Sequence, residues 1–190
     1  MRLKKINAGL ALITAAFVLV HITYTVLTYL MFYFNEFITH IITGPLMTLT
    51  IIHAALGVYA ITRLGDGTRY GCYPRQNAAT LIQRISGFLI IPIVFVHVRT
   101  FSLFLSNLQA GRMWMFYLLI TVQILFFGIL LTHVALSVPR AMITLGLITS
   151  VKTHTVIKRA VLAVCIILFV TAAFVVTRFD LQLISMAGAA

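Results

Sequence analysis

Four histidines stand inside long apolar stretches of this 190-residue chain: His21, His53, His97 and His133. An ionisable ring at membrane depth is costly, and such residues usually serve a site. A single one is as readily a hydrogen-bonded packing residue, but here one falls on each of four successive apolar runs. Distances along the helices sort them into two layers. With a rise of ~1.5 Å per residue, His21 lies ~24 Å from Lys5 and His97 ~20 Å from Arg84. His53 lies only ~15 Å from Arg63, and His133 ~10 Å from Arg140. The expectation is an outer layer of His21 and His97 and an inner layer of His53 and His133, roughly 10 Å apart. In an up-down-up-down bundle, alternate helices face one another diagonally and hold cofactors between them. Each layer is then a pair of imidazoles able to clamp a planar macrocycle from both faces, so the expected cofactors are two haems with His21, His53, His97 and His133 as axial iron ligands. A zinc ion normally takes three or four protein ligands, often including cysteine or carboxylate, and the first four runs place none near these depths. With both axial positions filled, the chemistry that remains is electron transfer, tuned by ligand and burial.

The elements that must position these rings follow from composition. Apolar residues make up 62% of the chain and charged ones 9%, against about 25% charged in a soluble domain, which excludes a water-soluble globule. Apolar runs occupy about 8–34, 37–62, 81–105, 113–136 and 161–177, each near the ~20 residues that span the hydrocarbon. The expected fold is therefore an all-α integral membrane protein, one domain over 1–190 with five transmembrane helices, the first four forming the bundle. The first run follows Lys4 and Lys5, but it is much longer than a signal-peptide core and lacks an A-x-A closing site, so it reads as a retained helix. The connections at 35–36 and 106–112 are short. Those at 63–80 and 137–160 are longer, and Gly65, Gly67, Gly71 and Pro74 mark the first as turn-rich.

The chain has 14 Lys/Arg and three acids, a net charge of +11. Arg2, Lys4, Lys5, Arg63, Arg69, Arg75, Arg84, Arg140, Lys152, Lys158 and Arg159 fall on one side of the spans, and Arg99, Arg112 and Arg178 on the other. The positive-inside bias puts the N-terminus in the cytoplasm. The basic excess is thus explained by sidedness and membrane lipid, and nucleic acid is not an expected partner. Cys72 and Cys165 fit no metal pattern.

Around the four rings, Ala54, Gly57, Gly128 and Ala135 either leave room for macrocycle faces or serve ordinary tight helix packing. Pro92 should bend or loosen the third span. Arg99, two residues past His97, points ~200° away from it around the helix, towards a haem propionate or the headgroups. His40 and His154 read as interfacial or loop residues, and Arg178 and Asp180 as markers of the outer interface.

Several local sequences resemble one known family. Ile52-His53-Ala54-Ala55-Leu56-Gly57-Val58 is similar to the His-Ala-Ala-Leu stretch of fumarate reductase cytochrome b subunits. Thr80-Leu81-Ile82-Gln83-Arg84-Ile85-Ser86-Gly87-Phe88, followed by Val96-His97-Val98, resembles that family's third haem-bearing helix and the His-Arg-x-Ser-Gly motif of succinate dehydrogenase cytochrome b subunits. Gln83 stands where that motif usually has histidine. Thr132-His133-Val134-Ala135 resembles the next ligand-bearing helix. The order and spacing over about residues 14–148 resemble the diheme, five-helix branch.

The resemblance implies a membrane anchor for a flavoprotein subunit and an iron–sulfur subunit. Two b haems would pass electrons to or from membrane quinone (menaquinone or ubiquinone), and the chain would do no dicarboxylate chemistry itself. It implies a place in the respiratory chain of a bacterial or archaeal cytoplasmic membrane, with His53 and His133 nearer the soluble subunits. Thr80 and Arg84 become candidate quinone or propionate contacts, although Arg84 also reads as an arginine reaching the headgroups. Glu36 becomes a candidate proton relay at the outer side, or a solvated loop acid. The fifth span is left to meet a partner or a second copy, as in a dimer of complexes. Two other readings stay open: a diheme anchor of another oxidoreductase, such as a hydrogenase or formate dehydrogenase, and a haem-free proton-coupled transporter.

Overall fold

The computed structural model describes residues 2–64 and 74–187. It holds five helices: α1 (Arg2–Met31), α2 (Glu36–Leu64), α3 (Pro74–Gln109), α4 (Met113–Leu145) and α5 (Val151–Ala187), with no strand among the described residues. All five are long and apolar enough to cross a membrane, and the chain is a multi-pass membrane protein. In hydrocarbon each backbone N–H and C=O must be satisfied within its own segment, so apolar runs rich in Ile, Val and Thr become helices despite their β-branching. Threonine hydroxyls obey the same rule: Thr43, Thr50 and Thr100 each donate to the carbonyl four residues back, at 2.7–2.8 Å.

The helices outrun the apolar stretches, which corrects the expected connections. α3 already starts at Pro74, α4 continues to Leu145 and α5 starts at Val151. The expected loop at 137–160 shrinks to 146–150, and that at 106–112 to 110–112. A hydropathy boundary marks where lipid contact ends, whereas a helix stops only where its backbone bonding is terminated. For α4 that point is Gly146, at φ +80° in the left-handed region, with its N–H on the Ile143 carbonyl. Asn35 starts α2 by accepting the Ile38 N–H on Oδ1 at 3.1 Å. Gly65, Gly67, Arg69, Gly71 and Cys72 lie outside the described residues, and Pro74 opens α3 rather than sitting in a loop, a favoured place for proline. Pro92 lies inside α3 without ending it, as do Pro45 in α2 and Pro139 in α4.

α1 packs on α2, α4 and α5, while α4 also packs on α3 and α5. The α1–α2 and α3–α4 pairs run antiparallel: Asn7 meets His53 while Tyr24 meets Asn35, and Gln83 meets Ser137 while His97 meets Gln123. The main core gathers Val18, Ile22, Ile90, Phe126, Phe127, Leu131, Cys165 and Ala172 around α4. A second cluster, Phe104, Phe116, Leu119 and Ile120, closes the α3–α4 turn. α2 contributes no fully buried residue to its apolar stretch; it rests on α1 and presents His53 inward.

Candidate functional site: two histidine couples

The rings of His21 on α1 and His97 on α3 have centroids 6.2 Å apart with planes at 90°. Those of His53 on α2 and His133 on α4 have centroids 6.4 Å apart at 63°. All four are half-buried. Neither couple belongs to a closely packed helix pair: α1 faces α3, and α2 faces α4, across the core. The separation has chemical meaning. An imidazole nitrogen sits about 2.0 Å from a bound metal and its ring centroid about 1.1 Å further back, so two rings gripping one atom from opposite sides have centroids roughly 6.2 Å apart. Among the described residues no three His, Cys, Asp or Glu side chains converge as a metal-ligating group.

Every ring hydrogen bond at the couples is made by Nδ1. His53 Nδ1 meets Asn7 Oδ1 at 2.9 Å, and His97 Nδ1 meets Gln123 Oε1 at 2.9 Å. His133 Nδ1 meets the Gln83 carbonyl at 2.9 Å and the Ser86 hydroxyl at 3.3 Å. Carbonyl and amide oxygens only accept, so in these three rings Nδ1 carries the proton and Nε2 keeps its lone pair. That is the outer-shell pattern of metal-ligating histidines. Three of the four rings thus fit a group that takes a neutral imidazole nitrogen. His21 is the exception, since its buried Nδ1 has no hydrogen-bond partner among the described residues.

The chain is shaped around these rings. A Cβ on Gly87 would sit 2.8 Å from His133 Cε1 and 3.2 Å from Nδ1, closer than packed atoms tolerate, so glycine at 87 is what admits the ring. His97 stacks on Phe126, with centroids 4.8 Å apart. Beside His133, the Gln83 side chain joins α3 to α4: its amide N–H donates to Ser137 Oγ at 2.8 Å, and its Oε1 accepts from Arg140 Nη1.

The expected spacing of the layers is corrected. Gly87 touches His133, and His97 lies ten residues further along α3; Gln123 touches His97, and His133 lies ten residues further along α4. On both helices the couples are therefore ~15 Å apart, not ~10 Å. The basic residues used as depth markers do not share one level: Asn7, beside Lys5, is already level with His53, while Arg63 lies a further ten residues along α2.

Thr80 and Arg84 lie one turn apart on α3, half-buried, at the end that carries the His53–His133 couple. Glu36 is at the other end, its side chain 81% exposed and 3.6 Å from His40 Nε2. Arg99 is exposed. Of the small residues, Gly128 packs against the Phe169 ring of α5, where a Cβ would be 3.5 Å away. Ala135 belongs to the core, and Gly57 lies against Asn7. These assign Gly128 and Ala135 to helix packing. Asp180, expected to mark the outer interface, is 2% exposed, with one carboxylate oxygen unpartnered among the described residues.

Sequence reasoning passed over Asn7, Gln123 and Gly87. Gln123 had a usable signal: an amide inside an unbroken apolar run is costly for the same reason as a histidine. Asn7 precedes its apolar run, where an amide is ordinary, and Gly87, although it stands in a motif quoted above, carries no sign of its contact. Comparison of the chain with known protein families, curated proteins and solved structures finds no match.

Proposed function

We propose that the chain is a diheme cytochrome b membrane anchor, with His21 and His97 holding one haem and His53 and His133 the other. One observation carries this reading: two imidazole couples, each at the separation of a shared axial atom, with Nδ1 tied back wherever a partner exists. Such haems supply one-electron transfer between a soluble redox partner and membrane quinone. The chain's own part is to hold Nε2 of His53, His97 and His133 available and to keep the rings of each couple apart at the required width. We further read the end carrying Arg63, Arg84, Arg140 and Lys152 as cytoplasmic, by the positive-inside bias. That places the His53–His133 couple nearer a soluble partner.

Within this class, the motifs around His53, Arg84 and Gly87 favour a succinate dehydrogenase or fumarate reductase anchor, bound to a flavoprotein and an iron–sulfur subunit. Thr80 and Arg84 are then candidate quinone or propionate contacts, and Glu36 a candidate proton relay at the opposite surface. Affinity purification of the tagged chain from its native membrane, with subunit identification, tests the assignment. A flavin-bearing and an iron–sulfur subunit are expected. A hydrogenase or formate dehydrogenase subunit in their place would reassign the anchor while leaving its haems.

A further inference from the structure

The hydrogen bonds at the two couples all cross between helices, and they cross in a regular way. α1 carries His21 of one couple and, towards its N-terminus, Asn7, whose Oδ1 meets His53 of the other couple at 2.9 Å. α4 carries His133 of one couple and Gln123, whose Oε1 meets His97 of the other at 2.9 Å. α3 carries His97 and, towards its start, the Gln83 carbonyl and Ser86 hydroxyl that meet His133. Three helices thus each give a ring to one couple and a hydrogen-bond acceptor to the other.

We propose that Asn7 and Gln123 are positioning residues, each fixing the tautomer and ring setting of the ligand histidine on the neighbouring helix, His53 and His97 respectively. The inference rests on the haem reading above. Packing does not explain these amides. Gln123 is 7% exposed in the middle of an apolar helix, where leucine would fill the space without the cost of burying an amide. With little water to compete, a hydrogen bond from Nδ1 is strong. It leaves the Nε2 lone pair as the coordinating atom and makes the imidazole a more basic ligand, which favours the oxidised metal. The two couples are held unequally. His53 and His133 each have an acceptor, whereas among the described residues Gln123 is the sole acceptor of its couple, because His21 Nδ1 has none there. Removing Gln123 therefore has the larger effect.

Redox titration of the purified complex, followed in the haem absorption bands together with the spin-resonance signals of the oxidised haems, tests this. Gln123→Leu is expected to raise the midpoint potential of one haem and leave the other unchanged. Asn7→Leu is expected to raise the other one, by less. Gln123→Glu and Asn7→Asp, which offer a stronger acceptor, are expected to lower the potential of the same haem that each leucine variant raises. Haems retained at unshifted potentials in all four variants would overturn the inference and leave the haem reading standing. Equal shifts of both haems would also overturn it, as a general loosening of the fold. Where a leucine variant loses haem, its carboxylate counterpart decides: an unshifted potential there counts against the proposal. A wild-type complex without haem would remove both the inference and the reading beneath it.

Discussion

The four histidines have unequal surroundings. His53, His97 and His133 are each fixed at Nδ1 by an acceptor on another helix, and His21 is not. On the haem reading, ligand loss should be local to a couple. His53→Ala and His133→Ala are each expected to reduce the haem content from two per chain to one, sparing the same haem, and His21→Ala or His97→Ala should spare the other. Extracted haem quantified against protein checks this, and loss of both haems from His53→Ala alone would break the pairing. Gly87 gives a sharper case because it is not a ligand. A methyl group there would meet His133 Cε1 at 2.8 Å, so Gly87→Ala must displace the ring. It is expected to deplete the haem that His133→Ala depletes and leave the other at wild-type occupancy. The histidines themselves were legible in the sequence, since an imidazole in an apolar run announces its cost. The Gly87 contact was not, because a missing side chain leaves no chemical trace until its neighbour is placed.

Among the helices, α4 packs on α1, α3 and α5, and the main core gathers around it. Its attachment to α3 at the His133 end runs through Gln83, which donates to Ser137 and accepts from Arg140. Gln83 stood out in the sequence only as a departure from a motif that usually has histidine; the structure makes it the latch between two helices. Gln83→Ala removes both side-chain bonds. With a buried hydrogen bond worth about 1 kcal/mol, and more where one partner is charged, the expected loss is about 2–3 kcal/mol. Thermal unfolding in detergent should show the lower midpoint, and an unaltered midpoint would show that the latch holds nothing. The number and order of the helices were readable from apolar runs of ~20 residues. Their ends were not: the stretches before Leu81 and after Leu136 are too polar for hydrocarbon yet continue the helix, and only Gly146 stops α4. The same mismatch displaced the layers, because Lys5, Arg63, Arg84 and Arg140 sit at different heights.

For the molecule as a whole, five apolar helices establish a multi-pass membrane protein, and its sidedness rests on charge. Arg112 adjoins the α3–α4 turn and Lys152 the start of α5, and both are exposed. In a background with Cys72 and Cys165 replaced, Arg112→Cys should react with a membrane-impermeant maleimide in intact cells. Lys152→Cys should react only after the membrane is opened, and the reverse pattern would invert the orientation and exchange the roles of the two ends. The haem reading depends on a cofactor held by each couple. A reduced-minus-oxidised spectrum and a haem determination on one purified sample test it directly. The expected result is b-type absorption bands and two haems per chain. A colourless protein, or one whose reduction changes no visible band, would contradict it.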